Sequence, residues 1–311
     1  MGRENRTMKF PPYLSPGDKV AIVSPAGKID RQIVERGAEL LRQQGFPVGI
    51  GRHAFGEEGV FSGSDMARAA DMQGALDDPS VKAVFFSRGG YGSLRTHLQL
   101  DWSAFLKQPK WLVGFSDITV FHAYLARHRI ASVHGVMTSW FEKEGSPTDS
   151  FLRMMGLLAG NAPEYVIPAH GLNRSGSASG ILTGGNLSVI QSLRGTPLDV
   201  MPDGRILFIE DVGEYHYHLD RMMQNLKAGG VLEQLSGLVV GHFTGMKDGE
   251  SPYGRSACEI IREAVAPYHY PVVFGFPAGH EFPNHPLLMG GRVFLEVSDH
   301  EARVKMNNGW L

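Results

Sequence analysis

Short apolar runs alternate with helical patterns through the first half of the chain. The nearly continuous apolar runs, which are typical of strands buried on both faces, are residues 20–24, 81–86 and 111–115. The stretches with apolar side chains at helical spacing are 31–44, 66–76, the residues after Gly92, and 121–126. This alternation predicts an N-terminal doubly wound α/β domain whose sheet is mainly parallel.

The second half of the chain shows a different pattern. Residues 145–178 are rich in Gly, Pro and Ser and have weak periodicity, so we place the connection between two domains there. The apolar runs that follow are 180–183, 205–209, 237–240, 271–274 and 292–297, with one helical stretch near 218–227. This pattern predicts a smaller β-rich C-terminal domain. The predicted boundaries are 1–160 for the α/β domain, 161–180 for the connection and 181–311 for the β-rich domain.

Length and composition agree with two ordinary globular domains. The chain has 311 residues, which exceeds the size at which one hydrophobic core usually stops growing. Hydrophobic residues make up 42% and charged residues 20%, so disorder is excluded as the general state. Lys and Arg total 30 against 32 Asp and Glu, without long blocks of one sign, and this balance argues against nucleic acid or acidic membranes as partners.

Three features of the sequence concern its compartment. Pro and Gly residues interrupt the chain from Pro11 onward, so we predict no secretion signal. No window approaches the ~18 to 20 apolar residues that a membrane-spanning helix needs. The single Cys258 excludes an intramolecular disulfide and a multi-cysteine metal site, which fits a reducing compartment. We therefore expect a cytoplasmic protein.

Ser116 is a candidate nucleophile. It follows the apolar run 111–115 and precedes a helical pattern, so a strand-to-helix turn would hold it at the carboxyl edge of a parallel sheet, where ligands usually bind. Helix N–H groups there could stabilise an oxyanion. The turn is not a strict G-x-S-x-G elbow, since Ile118 stands in place of the second glycine. A plain helix N-cap is the alternative interpretation.

A second turn, rich in glycine, follows the run 81–86 and should open on the same sheet edge. Its glycines would let backbone N–H groups approach a ligand closely. Gly89 and Gly90 are therefore candidate donors to an oxyanion or a substrate carboxylate, and a simple strand-to-helix connection is the alternative. The turn matches neither a P-loop nor a dinucleotide fingerprint, so nucleotide binding is not predicted.

A serine nucleophile needs a base, and the base needs an acceptor that orients it. Glu210 ends the apolar run 205–209, where a carboxylate would be rigidly held; a strand-end acid that faces water is the alternative. His280 lies in a loop rich in Gly and Pro, a common location for site residues. His285, five residues further on, competes with it as the base.

A cluster of acidic and histidine residues also permits a metal-site hypothesis. Its members are Glu210, Asp211, Glu214, His216, His218 and Asp220. The apolar positions after His218 indicate a helix, in which residues two apart are separated by about 200° around the axis. The two histidines would then point apart, so we predict that no metal is bound.

Several of these segments occur in one order that resembles the LD-carboxypeptidase family of serine peptidases, also called muramoyltetrapeptide carboxypeptidases, to which the microcin C immunity peptidases are related. The matching segments are residues 20–27, 88–92, 114–117, 134–135, 183–186, 209–211 and 279–280. The resemblance extends over nearly the whole chain. It implies an N-terminal α/β domain that carries the nucleophile and a C-terminal β-rich domain that carries the acid and the base.

The resemblance also implies roles for individual residues. Ser116 is similar to the family's nucleophile, Glu210 to the acid and His280 to the base. Backbone N–H groups of Asp117 and of the turn at Gly89 and Gly90 would bind the oxyanion. Arg88 is a candidate for contact with the terminal carboxylate of a substrate, and a solvated arginine is the alternative.

The function implied by the resemblance is removal of the C-terminal D-alanine from murein tetrapeptides during cell-wall recycling, by a homodimer without metal or organic cofactor. The first alternative is a microcin C-type peptidase that acts on peptidyl-nucleotides. The second is a murein-peptide binding protein without catalysis. An amidotransferase-like domain would need a reactive cysteine, and Cys258 lies in a helical pattern of the second half.

Overall fold

The structure is a computed structural model that describes residues 8–307. The chain forms two compact units. Of the described residues, unit 1 contains 8–161 together with His285–Gly290, and unit 2 contains Ala162–Asn284 and 291–307. Within residues 8–307, no helix is long and apolar enough to cross a membrane.

The helices and strands alternate along most of the chain. The strands are β1 (Lys19–Val23), β2 (Val48–Ile50), β3 (Val81–Phe86), β4 (Trp111–Gly114), β5 (Ser132–His134), β6 (Glu142–Lys143), β7 (Ser146–Pro147), β8 (Glu164–Pro168), β9 (Gly176–Asn186), β10 (Ile206–Val212), β11 (Gly237–Thr244), β12 (Val272–Val273), β13 (Leu287–Met289), β14 (Arg292–Val297) and β15 (Glu301–Asn307). The α-helices are α1 (Arg31–Gln43), α2 (Asp65–Asp77), α3 (Ser93–His97), α4 (Ser103–Lys107), α5 (Thr119–Arg127), α6 (Asp149–Leu158), α7 (Leu187–Ser192), α8 (His216–Ala228) and α9 (Ala257–Ala264).

Unit 1 is built on a sheet with the strand order β13-β5-β4-β3-β1-β2. Strands β1 to β5 pair in parallel, and β13 joins β5 antiparallel at the edge. The central strands are buried along almost their whole length, because helices cover both faces of such a sheet. Side-chain caps start the helices: Asp30 accepts the Gln32 N–H before α1, and Ser64 accepts the Ala67 N–H before α2.

Unit 2 contains a mixed sheet with the order β12-β11-β10-β9-β14-β15-β8. Strands β9 to β12 are parallel, whereas β9, β14, β15 and β8 pair antiparallel. Burial alternates along β14 and β15, which indicates one covered face and one exposed face. A core of Leu, Ile, Val and Met side chains joins α8 and α9 to the parallel strands.

The predicted fold class, a doubly wound α/β unit followed by a sheet-rich C-terminal part, is confirmed. The pattern did not reveal α6, whose stretch contains Gly156 and follows the Gly and Pro residues near 145. The short strands β8 and β13 were also not predicted. The domain boundaries stay a prediction; β8 lies inside the predicted connection, and His285–Gly290 belongs to unit 1.

Candidate active site

Ser116 lies at a tight turn between β4 and α5 in unit 1. Its φ is 65°, a left-handed conformation that is uncommon for a residue with a side chain. A short 3₁₀ turn, Ser116–Ile118, leads directly into α5. Gly114 permits this turn, since a Cβ there would come within 3.0 Å of both Ile118 and Phe86. Backbone strain of this kind is concentrated at functional sites, where the surrounding fold maintains it.

His122, a residue that the sequence did not single out, supports this turn from within α5. Its ring is buried, and Nε2 lies 2.9 Å from the Gly114 carbonyl oxygen while Nδ1 lies 2.8 Å from Ser132 Oγ. A carbonyl can only accept, so Nε2 carries the proton and Nδ1 accepts from the hydroxyl. Burial lowers the pKa of His122 to about 4, so the ring is neutral at pH 7. Its signal in the sequence is a histidine on the apolar face of α5.

The glycine turn after β3 lies against Ser116. A methyl group on Gly89 would come within 2.9 Å of Ser116 Cβ and 3.1 Å of Ser116 Oγ, and 3.3 Å from the Asp117 backbone nitrogen. Only a glycine therefore fits here without displacement of the serine. Gly90 has a φ of 102°, a conformation that favours glycine. The structure thus brings Ser116, Asp117 and Gly89 together in unit 1.

The turns after β1 and β3 are joined to each other. The Gly27 N–H donates to the Gly89 carbonyl oxygen (3.0 Å), and Ser24 Oγ lies 2.6 Å from Ser87 Oγ. In the strand order β2-β1-β3-β4-β5, the connections diverge between β1 and β3. Crevices at such a point, at the carboxyl ends of parallel strands, are where open α/β sheets bind ligands.

The Asp117 side chain points inward and fastens the start of α3. Its Oδ2 accepts the Ser93 N–H at 2.7 Å, and the carboxyl group is buried. Burial raises the pKa of this carboxyl, although the hydrogen bond to the Ser93 N–H opposes the shift. The carboxylate therefore has a structural role, and the part of Asp117 near Gly89 is its backbone nitrogen.

Arg88 is exposed at the edge of the same turn. Its Nη1 donates to the Lys28 carbonyl oxygen at 2.8 Å, which orients the guanidinium along the turn after β1. The Arg88 guanidinium thus adds positive charge beside the crevice, whereas the Lys28 ammonium is paired with Glu57 at 3.1 Å. Such a location is compatible with contact to a substrate carboxylate.

Glu210 and His280 form a hydrogen-bonded pair in unit 2. Glu210 is 0% exposed on β10, and its Oε2 lies 2.6 Å from His280 Nδ1. A carboxylate accepts, so Nδ1 carries the proton and the lone pair of the neutral ring is on Nε2. This is the tautomer that a general base in a catalytic triad requires.

The charge of the pair changes the titration of the imidazole. Burial alone disfavours the imidazolium, but the hydrogen bond and the charge of Glu210, together with the charge of Asp211, outweigh it and raise the pKa of His280. A buried carboxylate is stable only when it is hydrogen-bonded or paired. The Glu210 carboxylate and the protonated His280 imidazole therefore stabilise each other.

A β-bulge and a glycine bring the loop that carries His280 onto β10. The register between β10 and β11 shifts after Ile209, so that Glu210 stands opposite two residues of β11. Bulges next to active sites redirect side chains. Gly279, with a φ of 129°, is required as well, because a Cβ there would lie 3.0 Å from Glu210 Oε2.

Asp211, which the sequence offered only as a member of a possible metal cluster, and Asn186, to which it assigned no role, fix the end of β10. Asn186 Nδ2 donates to Asp211 Oδ1 (3.0 Å), and the Ser188 N–H donates to Asp211 Oδ2 (2.9 Å). Burial and the charge of Glu210 raise the pKa of Asp211 to about 6. The two adjacent buried acids of β10 therefore have separate partners: His280 for Glu210, and Asn186 with Ser188 for Asp211.

Other candidate residues lie elsewhere. His285 belongs to unit 1, where its Nδ1 is 3.9 Å from Asp149 Oδ2. His216 and His218 lie on α8, and they pair with different acids, Asp248 and Glu214 respectively. Within the described residues 8–307, no group of three or more His, Cys, Asp and Glu residues is arranged to hold a metal ion.

Comparisons with known proteins agree over most of the chain. The LD-carboxypeptidase N-terminal domain family matches residues 20–135, and the LD-carboxypeptidase C-terminal domain family matches residues 179–295. The murein tetrapeptide carboxypeptidase of Pseudomonas aeruginosa is 30% identical over 288 residues, 89% of this chain and 93% of that protein. These matches define a serine carboxypeptidase as the class of protein.

Solved structures support the same assignment. Muramoyltetrapeptide carboxypeptidase from Oxalobacter formigenes superposes with a TM-score of 0.84 and 28% identity, over 93% of this chain and 99% of that one. The microcin C7 self-immunity protein MccF reaches a TM-score of 0.82 at 19% identity, over 95% and 98%, which shows a common fold. This chain belongs to the LD-carboxypeptidase family, and the resemblance stated from its sequence is confirmed.

Proposed function

We propose that the protein is a serine LD-carboxypeptidase that removes the C-terminal D-alanine from murein tetrapeptides during cell-wall recycling. The observation that carries the proposal is the hydrogen bond of 2.6 Å between buried Glu210 and His280 Nδ1. It prepares an imidazole as a base in a chain that belongs to a carboxypeptidase family. The names of the relatives from Pseudomonas and Oxalobacter support a murein or muramoyl tetrapeptide as the substrate.

The proposed reaction follows the serine-triad scheme. Ser116 Oγ attacks the carbonyl carbon of the scissile peptide bond while His280 Nε2 accepts the hydroxyl proton. Glu210 orients the ring and stabilises the imidazolium. The proton then passes to the nitrogen of the leaving D-alanine, and the acyl group stays on Ser116. Water, deprotonated by His280, hydrolyses this ester and restores the serine.

Backbone groups of unit 1 complete the proposed machinery. The N–H groups of Asp117 and of the turn at Gly89 and Gly90 bind the oxyanion, and the close approach of Gly89 to Ser116 supports this role. One such donor contributes about 3 to 4 kcal/mol to transition-state binding in a serine protease. Arg88 binds the terminal carboxylate of the substrate. The scheme requires no metal or organic cofactor.

Replacement of Ser116 by Ala tests the proposal directly. We expect release of D-alanine from a murein tetrapeptide to fall by about 10⁴-fold or more, as removal of a triad nucleophile does elsewhere. A fluorophosphonate should label the wild type at residue 116 and leave the variant unlabelled. Unchanged release of D-alanine by the folded variant would refute the role of Ser116.

A peptidyl-nucleotide peptidase is the second candidate, favoured by the likeness to MccF, whose structures include a complex with glutamyl sulfamoyl guanosine. A parallel assay of a murein tetrapeptide and an aminoacyl sulfamoyl nucleoside compares the two. Faster turnover of the nucleoside conjugate would assign the second candidate. Tight binding of either compound without turnover would instead assign a murein-peptide binding protein.

The setting of the enzyme is part of the proposal. We propose a cytoplasmic homodimer whose nucleophile domain spans residues 1–160 and whose β-rich domain spans 181–311. The single Cys258 supports a reducing compartment. Sedimentation equilibrium of the full chain tests the dimer, and cell fractionation tests the location.

A further inference from the structure

Arg68 is a buried arginine on the inner face of α2. It is 1% exposed, and the other buried residues of α2 are the apolar Ala69, Met72, Ala75 and Leu76. Arginine is almost never fully buried unless its charge is paired and its N–H groups are bonded. A guanidinium on an apolar helix face therefore calls for a specific set of partners.

The partners of Arg68 are backbone carbonyls of the two turns at the crevice. Nη1 donates to the carbonyl oxygens of Pro25 (2.8 Å) and Gly92 (3.2 Å), which follow β1 and β3 respectively. Nε donates to Gly63 (3.2 Å), and Nη2 pairs with Asp65. One planar group thus holds three separate segments of unit 1 in a fixed arrangement.

The contact with Gly92 connects Arg68 to the nucleophile turn. Gly92 has a φ of 134°, and a methyl group on it would overlap the Arg68 guanidinium. The next residue, Ser93, donates its N–H to Asp117, which directly follows Ser116. Arg68 therefore restrains one end of the turn from Gly89 to Gly92, and Asp117 restrains the residue just beyond it.

Phe61 packs against the Arg68 guanidinium and also lies close to a second arginine. The Arg68 guanidinium carbon lies 4.6 Å from the centre of the Phe61 ring, and that of Arg95 lies 5.6 Å from it. Arg95 also pairs with Asp65, at 2.6 Å, but its side chain is 50% exposed. The two arginines share an acid and an aromatic ring, and they differ in their access to the turns.

We propose that Arg68 is a positioning residue for catalysis: it holds the glycine turn so that the backbone N–H groups beside Ser116 face the developing oxyanion. This inference rests on the proposed function of Ser116. Arg68 lies on α2, about fifty positions before Ser116 in the sequence, and it would control the geometry of transition-state binding. Substrate contacts made elsewhere are independent of it.

Replacement of Arg68 by Lys tests the inference, with Arg95→Lys as the matched control. Lysine keeps the positive charge but lacks the planar fork that reaches Pro25 and Gly92 together. We expect kcat for D-alanine release to fall by about 10²-fold, the effect of a misplacement of about 1 Å, with KM changed by less than about threefold. Fluorophosphonate labelling of Ser116 should slow by a similar factor, and Arg95→Lys should match the wild type.

A second variant covers the case in which Arg68→Lys does not fold. Thr96 Oγ1 donates to the same Pro25 carbonyl oxygen at 2.7 Å, so Thr96→Val weakens the restraint on that turn without removal of a charge. We expect a smaller loss in kcat, about threefold to tenfold, as one hydrogen bond of about 1 kcal/mol would give. Hydrogen exchange should show faster amide exchange at residues 25–28 and 89–93 in both variants.

The outcomes separate this inference from the proposed function. Wild-type kcat, labelling rate and amide protection in folded Arg68→Lys would overturn the role of Arg68. Where Arg68→Lys is unfolded, wild-type kcat and amide protection in Thr96→Val would overturn the premise that hydrogen bonds to the Pro25 carbonyl, to which Arg68 also donates, set the geometry of the turns. If the wild type releases no D-alanine, the proposed function fails, while the amide exchange at the glycine turn still decides whether Arg68 restrains it.

Discussion

The two units prepare their candidate residues by different physical means. In unit 1, backbone conformation positions the nucleophile candidate: Ser116 has a positive φ, and Gly89 leaves room beside the Ser116 hydroxyl. In unit 2, side-chain charge orients the candidate base: buried Glu210 holds His280 through a hydrogen bond. Close steric fit thus defines the first region, and electrostatic compensation defines the second.

The two regions should therefore be sensitive to different kinds of substitution. Added atoms should damage unit 1, because its turns already lie in contact and close packing leaves no space for relaxation. Lost charge should damage unit 2, because a buried carboxylate or imidazole without its partner loses its function and its compensation.

Removal of the imidazole should have the largest effect. We expect His280→Ala to lower kcat/KM for D-alanine release by about 10⁴-fold or more, because no other group would take the serine proton. Steady-state kinetics with a murein tetrapeptide measures it.

His285→Ala is the matched control, since His285 was the competing candidate and lies in unit 1. We expect it to retain activity within a few fold. A large loss in His285→Ala with a small loss in His280→Ala would exchange the two assignments and break the comparison.

One added methyl group should have the next largest effect. We expect Gly89→Ala to lower kcat by about 10²-fold, because the methyl group would press on Ser116 Oγ and shift the adjacent N–H donors. Fluorophosphonate labelling rates and kcat measure the change.

Gly74→Ala provides the control for the addition of a methyl group. Gly74 is exposed in α2, and beyond the backbone of its own helix no atom lies within 4 Å of the point that a Cβ would occupy. Alanine should therefore stabilise the helix by about 0.5 to 1 kcal/mol and leave kcat unchanged. Equal kcat in Gly89→Ala and the wild type would show that unit 1 tolerates added atoms, against the contrast drawn above.

The smallest expected effect is a shift in pH dependence. Burial opposes the imidazolium, but Glu210 and Asp211 raise the pKa of His280 above its ordinary 6.5. A base acts when it is neutral, so kcat/KM should rise with pH through a value above 6.5. In Glu210→Gln burial remains, so the His280 pKa should fall; NMR titration of the ring C–H signals measures both proteins.

The same shift has a defined sign for stability. Because the folded-state pKa is raised, the stability that protonated His280 contributes is fully present below the unfolded pKa of about 6.5 and is lost as pH rises through the folded pKa. Unfolding free energies across this window should decline in the wild type and decline less in Glu210→Gln. An unchanged His280 titration in that variant would show that the pair does not set the pKa.

The strands and turns that carry Ser116, Gly89 and Glu210 were predictable from the sequence, because apolar runs specify where strands end, and the catalytic roles of these residues stay a prediction. The runs before Ser116 and Glu210 predicted β4 and β10, and the turn after β3 was placed correctly. His122, Asn186 and Arg68 were not found. Each of these side chains bonds a carbonyl or carboxylate that the fold brings close, and no local pattern in the sequence records such a contact.

The sequence by itself determined the alternation of strands and helices, the fold class and the family, because apolar periodicity and ordered motifs are local properties of the chain. Tertiary structure alone decided that Glu210 bonds His280, seventy residues away, and that Gly89 lies against Ser116. Those contacts depend on strand register and on the angles of individual turns. A shift of one residue in strand register, or a change in the angles of a turn, would separate the partners. Composition and residue spacing do not record such a change.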